Sequence, residues 1–201
     1  MDINNPEFWQ ERYSTNNTPW DTKTNTPALI NLVNHSKSKK IAILGCGYSK
    51  DSLFLAKKGH KVYPIDFASK PIQYLNDLKN KKGLDNLFPV KKDIFKLSGK
   101  YSKFFDIVIE YTCFCAIDIK RRPQYAELVN NILNQNGKFI ALFFPTERRE
   151  EGIDKGPPFY VDLDETLSMF ENNFNFIKID KNPDSINPRK GFETLVVMDK
   201  K

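Results

Sequence analysis

Short apolar runs alternate along the chain with stretches whose apolar residues recur every three to four positions. KIAILG (40–45), HKVYPID (60–66), FPVKKD (88–93), FFDIVIEYT (104–112) and GKFIALFFP (137–145) have the length and the β-branched or aromatic content of strands, the third most weakly. The stretches 50–58, 71–82 and 122–134 are patterned as helices. In 71–82, Pro71 suits a first turn, and Ile72, Leu75 and Leu78 share one side. In 122–134, Tyr125, Leu128, Val129, Ile132 and Leu133 form an apolar stripe, and Asn136-Gly137 is expected to end the helix. NFIKIDK (175–181) and ETLVVMD (193–199) are the last strand candidates, joined by NPDSINPRKG, whose prolines and glycine mark a loop.

Strands separated by helices imply right-handed crossovers and a mostly parallel sheet. The last pair has no intervening helix and is expected to be antiparallel. The outline is therefore an α/β domain of seven strands with helices on both faces. An N-terminal helical cap is expected over 1–36 and the core over 37–201.

Composition narrows this further. At 201 residues, 40% hydrophobic and 28% charged, the chain is expected to be a single domain with a sizeable core. No apolar run has the length of a membrane span, and MDINNPEFWQ lacks the basic and apolar regions of a leader. Cys46, Cys113 and Cys115 form an odd, sparse set without CxxC spacing, and His35 and His60 are isolated, so neither a disulfide framework nor a metal site is expected. A reducing cytoplasm fits. The net charge of +6 lies wholly in 79–103, where eight lysines face Asp85 and Asp93. With 25 Lys against 6 Arg, the segment reads as a solvated face rather than a nucleic-acid footprint.

The first strand runs into Leu44-Gly45-Cys46-Gly47. In open α/β sheets ligands bind outside the carboxyl ends of the strands, and glycines there admit a ligand close to the backbone. Asp66 ends the next strand, 19 residues beyond Gly47, where a carboxylate can accept both hydroxyls of a ribose. A dinucleotide site wants a third glycine so that the helix start meets a pyrophosphate, and Lys50 stands there instead. S-adenosylmethionine has the ribose without the phosphates. An antiparallel terminal strand also suits a methyltransferase sheet better than a dehydrogenase sheet.

FWQERYSTNNTPWD (8–21), the LGCG loop, FDIVIEYTCFCAI (105–117), RRPQYA (121–126) and GPPF (156–159) together resemble the thiopurine S-methyltransferase-like family. Within it they look most like the branch of plant and bacterial thiol and halide methyltransferases. The resemblance implies a class I, Rossmann-like methyltransferase fold with S-adenosylmethionine as donor, S-adenosylhomocysteine as product and a small, soft nucleophile as acceptor. It places Trp9, Tyr13 and Trp20 in a cap over the cofactor and puts Gly45, Cys46 and Gly47 in the loop beneath. Asp66 and Phe67 fall at the ribose, Asp93 and Ile94 at the adenine, and Tyr111 near the methionine part or the methyl group. Cys113, Arg122, Pro157, Pro158 and Phe159 become candidates for the acceptor side and its lid. Glu110 stands where the family usually has Asp, and Cys113 where it usually has an aromatic residue.

The expected reaction is in-line displacement by a thiol or hydrosulfide, with a halide or a thiopurine as the alternative acceptor. Such nucleophiles need no strong base, which suits a chain without an obvious catalytic His or Lys. Trp9, Trp20, Tyr111 and Phe114 are expected to line a dry aromatic pocket that favours a sulfonium cation. Arg121 and Arg122 are candidates for an acidic acceptor or the cofactor carboxylate. A nucleic-acid methyltransferase and a non-catalytic cofactor-binding module are the competing readings. The first wants an Asn/Asp-Pro-Pro-Tyr/Phe signature where this chain has EYTC (110–113). No nucleic acid, no membrane and a monomer are expected.

Overall fold

The computed structural model of the chain describes residues 2–33, 37–147 and 156–201. In chain order the elements are α1 (Pro6–Ser14), α2 (Pro27–Val33), β1 (Lys40–Leu44), α3 (Lys50–Lys57), β2 (Lys61–Asp66), α4 (Ser69–Lys82), β3 (Val90–Lys91), α5 (Ser98–Tyr101), β4 (Phe105–Tyr111), α6 (Arg122–Ile132), β5 (Leu133–Phe143), α7 (Leu163–Ser168), β6 (Phe174–Asp180) and β7 (Thr194–Lys200). The strands form one sheet in the order β3-β2-β1-β4-β5-β7-β6. β1 to β5 run parallel, while β7 is antiparallel to both β5 and β6.

The continuous apolar runs follow from burial on both faces. Along β1, Ala42 and Leu44 join one core, with Val108, Phe139 and Tyr125, while Ile41 and Ile43 join the other, with Ile107, Ile109 and Leu55. The chain order reverses between β1 and β4, which lie side by side with Leu44 opposite Glu110. Open α/β sheets form their ligand crevice at such a switch point, beyond the strands' carboxyl ends.

Three expectations change. The apolar stripe of 122–134 stops being helical at Ile132, because Leu133 turns extended (φ −70°, ψ 137°) and pairs with Phe105 at the start of β5. Asn136-Gly137 therefore lies inside β5, where Asn136 takes φ +63°, rather than at a helix end. The expected cap also divides: α2 buries Leu29 and Val33 in the second core, so only the segment before it stands over the crevice. His35 and the end of the expected cap at 34–36 lie outside the described residues. Finally, α7 carries no strong sequence signal and starts on Asp162, whose side chain caps it through Glu165 N. Among the described residues no helix is long and apolar enough to cross a membrane.

Candidate active site

The crevice floor begins where β1 ends. Gly45 (φ +56°) and Gly47 (φ +51°) both take left-handed backbone, which L side chains adopt only with strain. A Cβ on Gly45 would meet Cys113 Sγ at 2.6 Å and Cys113 Cβ at 2.8 Å, so the loop after β4 can lie against β1 only if residue 45 has no side chain. A Cβ on Gly47 would stand 3.0 Å from the Tyr13 hydroxyl, which belongs to the cap. Gly45→Ala is expected to lose roughly 1–2 kcal/mol from backbone strain alone, before the clash with Cys113 is added. Urea denaturation of the variant measures this.

Asp66 joins this loop to the next. Its Oδ2 accepts from Gly47 N at 3.0 Å and its Oδ1 from Ala68 N at 2.9 Å. Burial pushes its carboxyl up to about 6, against the pull of the Ala68, Gly47 and Phe67 N–H groups. Each oxygen keeps a lone pair for a further donor, such as a ligand hydroxyl.

The roof is aromatic. Trp20 packs edge-on to Trp9 at 5.4 Å and to Tyr13 at 5.7 Å, and Tyr13 continues to Tyr48 at 5.2 Å. Trp9 Nε1 donates to Ile3 O at 2.8 Å, which folds the first residues over the same opening. Between roof and floor lies a cavity of about 270 Å³. It gathers Trp9, Tyr13, Trp20, Gly45, Asp66, Phe67, Asp93, Ile94, Cys113, Pro157 and Pro158 on one wall system. Cys46, Gly47 and Tyr111 line a smaller recess beside it, which Trp20 and Gly45 share.

Three other candidates lie elsewhere. Phe114 is fully buried and packs edge-on to Tyr125 and Phe143, each at 5.3 Å, so it belongs to the core and not to the pocket. Arg122 is buried beneath the site, its guanidinium 4.7 Å over Phe114 and its Nη2 donating to Tyr160 O at 3.0 Å. It anchors the 157–161 segment rather than facing the cavity. Phe159 is not on the cavity wall; its ring lies close against Gly156, and its backbone N–H donates to Cys115 O at 2.7 Å.

The turn after β4 explains the split. Thr112 takes φ +61°, which breaks the strand's alternation and sends Cys113 to the cavity and Phe114 to the core. Glu110 holds this turn. Its Oε1 accepts from Cys113 N and Phe114 N, and its Oε2 from the Tyr125 hydroxyl at 2.7 Å. Burial pushes Glu110 up to about 7, opposed by those three donors and Arg122.

Arg189, in the loop between β6 and β7, was not singled out by the sequence pattern. It is 6% exposed and lines the cavity. Its guanidinium stands 4.2 Å over Phe144 and 5.1 Å over Tyr111. Nη2 donates to Trp20 O at 3.0 Å and Nη1 lies 3.9 Å from Glu193 Oε1, which also accepts from the Tyr111 hydroxyl. Among the described residues Nη1 has no hydrogen-bond partner. The signal was in the composition: Arg12, Arg121 and Arg189 line the cavity in a chain of only six arginines, while among the described residues no lysine does. The 79–103 lysines sit instead around the β3 edge of the sheet.

These groups suit a cationic nucleoside. Asp66 offers a ribose acceptor, Asp93 adds a second carboxylate, and the roof presents aromatic faces that attract a sulfonium. Known proteins agree with that reading. A family profile described as thiopurine S-methyltransferase matches residues 4–201. The chain is 28% identical over 195 residues to thiocyanate methyltransferase 1 of Arabidopsis thaliana, covering 93% of this chain and 82% of that protein. It is 28% identical over 202 residues to a probable thiol methyltransferase 2 of the same plant, covering 97% and 85%. The 1,6-didemethyltoxoflavin-N1-methyltransferase of Burkholderia thailandensis, solved with S-adenosylhomocysteine, superposes with a TM-score of 0.77 at 17% identity, covering 98% of this chain and 86% of that one. At that identity the likeness is one of fold.

Proposed function

The chain belongs to the thiopurine S-methyltransferase family and is an S-adenosylmethionine-dependent methyltransferase, and from that premise we propose that its acceptor is a small soft nucleophile, first a thiol or hydrosulfide. The wall of the cavity carries this reading. It is aromatic and apolar with a buried arginine, and among the described residues no histidine or lysine lines it. Cys113 and Cys115 do line it, but burial raises both thiols, Cys115 to about 12, and burial also raises Tyr13 well above the usual phenol range. None of the three is a base at neutral pH. With the carboxylates of Asp66 and Asp93 given to the donor, the acceptor on this reading arrives already nucleophilic.

When bound, S-adenosylmethionine supplies a methyl group on a cationic sulfonium that is open to in-line displacement. Asp66 takes the ribose hydroxyls, and Asp93 with Ile94 and Phe67 holds the adenine end. Trp9, Tyr13 and Trp20 exclude water and face the cation. Arg189, its guanidinium over the rings of Phe144 and Tyr111, gives the acceptor side a fixed positive charge that favours an anion. Cys113 and Pro157-Pro158 set the room beside it. Fixing the acceptor on one line with the methyl group is the main source of rate. The same wall admits a thiocyanate, a halide or a thiopurine as the alternative acceptor. A nucleic acid is disfavoured, because the cavity is small and the 79–103 lysines lie away from it. A single domain, acting as a monomer in a reducing cytoplasm, completes the proposal and fits its three free thiols.

The test is the pH dependence of kcat/KM for two thiols of well-separated pKa. The ascending limb is expected to follow each thiol's own pKa, because the nucleophile is the thiolate. With the donor saturating, one limb above pH 7 shared by both thiols would reveal an enzyme base and contradict the proposal.

A further inference from the structure

The helix that follows the ribose-binding acid does not complete its own N-terminus. α4 begins at Ser69 after Ala68, which makes no side-chain cap. The first N–H groups of a helix have no partner within it and need an acceptor from outside. Here Gln10 supplies it from α1: its Oε1 accepts from Ser69 N at 2.9 Å and from Lys70 N at 3.1 Å. The amide is turned that way by its own Nε2, which donates to Ser14 Oγ at 3.4 Å.

Gln10 does not line the cavity, whereas its neighbours on α1, Trp9, Arg12 and Tyr13, do. α1 thus shows aromatic rings to the cavity and one amide oxygen to α4. The residues just before α4, Asp66 and Phe67, are cavity floor. One side-chain oxygen therefore ties the roof to the element that follows the floor, alongside the packing of Tyr13 on Tyr48 and Gly47. The other tethers of the cap attach elsewhere: Arg121 Nη1 donates to Asn4 Oδ1 at 3.3 Å, and Arg189 Nη2 to Trp20 O.

We propose that Gln10 is a positioning residue for methyl transfer, a latch that closes the aromatic cap over the donor by capping α4. This rests on the assignment of the cavity to the donor. Glutamate should serve as well as glutamine, because a carboxylate accepts from the same N–H groups and suits the positive end of a helix. The protein's two tryptophans, Trp9 and Trp20, both belong to the cap, so tryptophan emission reports the cap alone.

The experiment compares wild type, Gln10→Ala and Gln10→Glu by tryptophan emission of the free protein and by titration with S-adenosylhomocysteine. Gln10→Ala is expected to shift emission to longer wavelength and to weaken binding roughly tenfold, about 1.4 kcal/mol. Gln10→Glu is expected to match wild type in both. Wild-type emission and affinity in Gln10→Ala would overturn the latch, and so would a Gln10→Glu variant as impaired as Gln10→Ala. A wild type that binds no S-adenosylhomocysteine would overturn the donor-site reading instead, while the emission of free Gln10→Ala still decides the latch.

Discussion

Trp20→Ala is expected to weaken S-adenosylmethionine binding by roughly 30- to 100-fold, equivalent to about 2–3 kcal/mol. Trp20 is the common member of the cap's ring contacts, touching both Trp9 and Tyr13, and it lines both the cavity and the smaller recess. Removing its indole leaves those two rings without the partner that holds them over the floor and lets water into the site. Turnover should fall as well, since a wet site weakens the attraction between an anionic acceptor and a sulfonium. The free protein's melting temperature should change little, because Trp20 belongs to neither core cluster. Calorimetric titration and thermal melts of the variant measure the two effects. Donor affinity and turnover equal to wild type would remove the cap from the account.

Asp66→Ala is expected to be more severe, with a loss of about 100-fold or more in donor affinity. The substitution removes a charged acceptor for two hydroxyls, at roughly 1.5–3 kcal/mol for each bond, and leaves Gly47 N and Ala68 N buried without their partner. Asp66 also gives the site a pH dependence with a definite sign. Its folded pKa of about 6 lies above the ordinary 3.8, so the folded protein takes up this proton before the unfolded chain does. The stability contributed by Asp66 therefore rises as pH falls through 6 toward 4. Glu110, pushed up from 4.5 to about 7, acts in the same sense over a higher window. Donor affinity moves the opposite way. A ribose donates to the carboxylate, so binding is constant well above pH 6 and weakens below it, toward tenfold per pH unit. Asp66→Asn should bind weakly with no such limb, and titrations at several pH values show whether it does.

The parallel half of the sheet was legible because strands buried on both faces are apolar through their buried length, as 41–44 and 107–109 are. The glycine loop and Asp66 were legible for a related reason: consecutive strand ends of a parallel sheet meet in one place. Direction was harder to read. Alternation along β4 fails at Thr112, whose positive φ no residue type announces, and that one torsion decides which of Cys113 and Phe114 faces the cavity. Arg121 and Arg122 are neighbours in sequence, yet the 3-10 turn before α6 aims the first at the cavity and the helix start aims the second inward. At Leu133 a helical stripe and a buried strand look alike, and the pairing with Phe105 settles the matter. Arg189 sits in a proline-broken loop with no periodicity to show that it folds back under Trp20.

The lysine segment that gives the chain its charge has a smaller part than its size suggests. None of its eight lysines reaches the cavity wall, which is served by arginines instead. A planar guanidinium can bond a backbone carbonyl and stack on a ring at once, as Arg189 does, whereas an ammonium is a hydrated point charge. On the proposed reading, the charge that acts on the acceptor is the buried one.

The most direct measurement incubates the protein with methyl-labelled S-adenosylmethionine and a panel of hydrosulfide, methanethiol, a larger thiol, thiocyanate, a thiopurine, iodide and DNA, with products read by mass spectrometry. The expected result is label on the sulfur of a small acceptor, in step with S-adenosylhomocysteine formation and with no label on DNA. Label on the nucleic acid, with every small acceptor blank, would contradict the account.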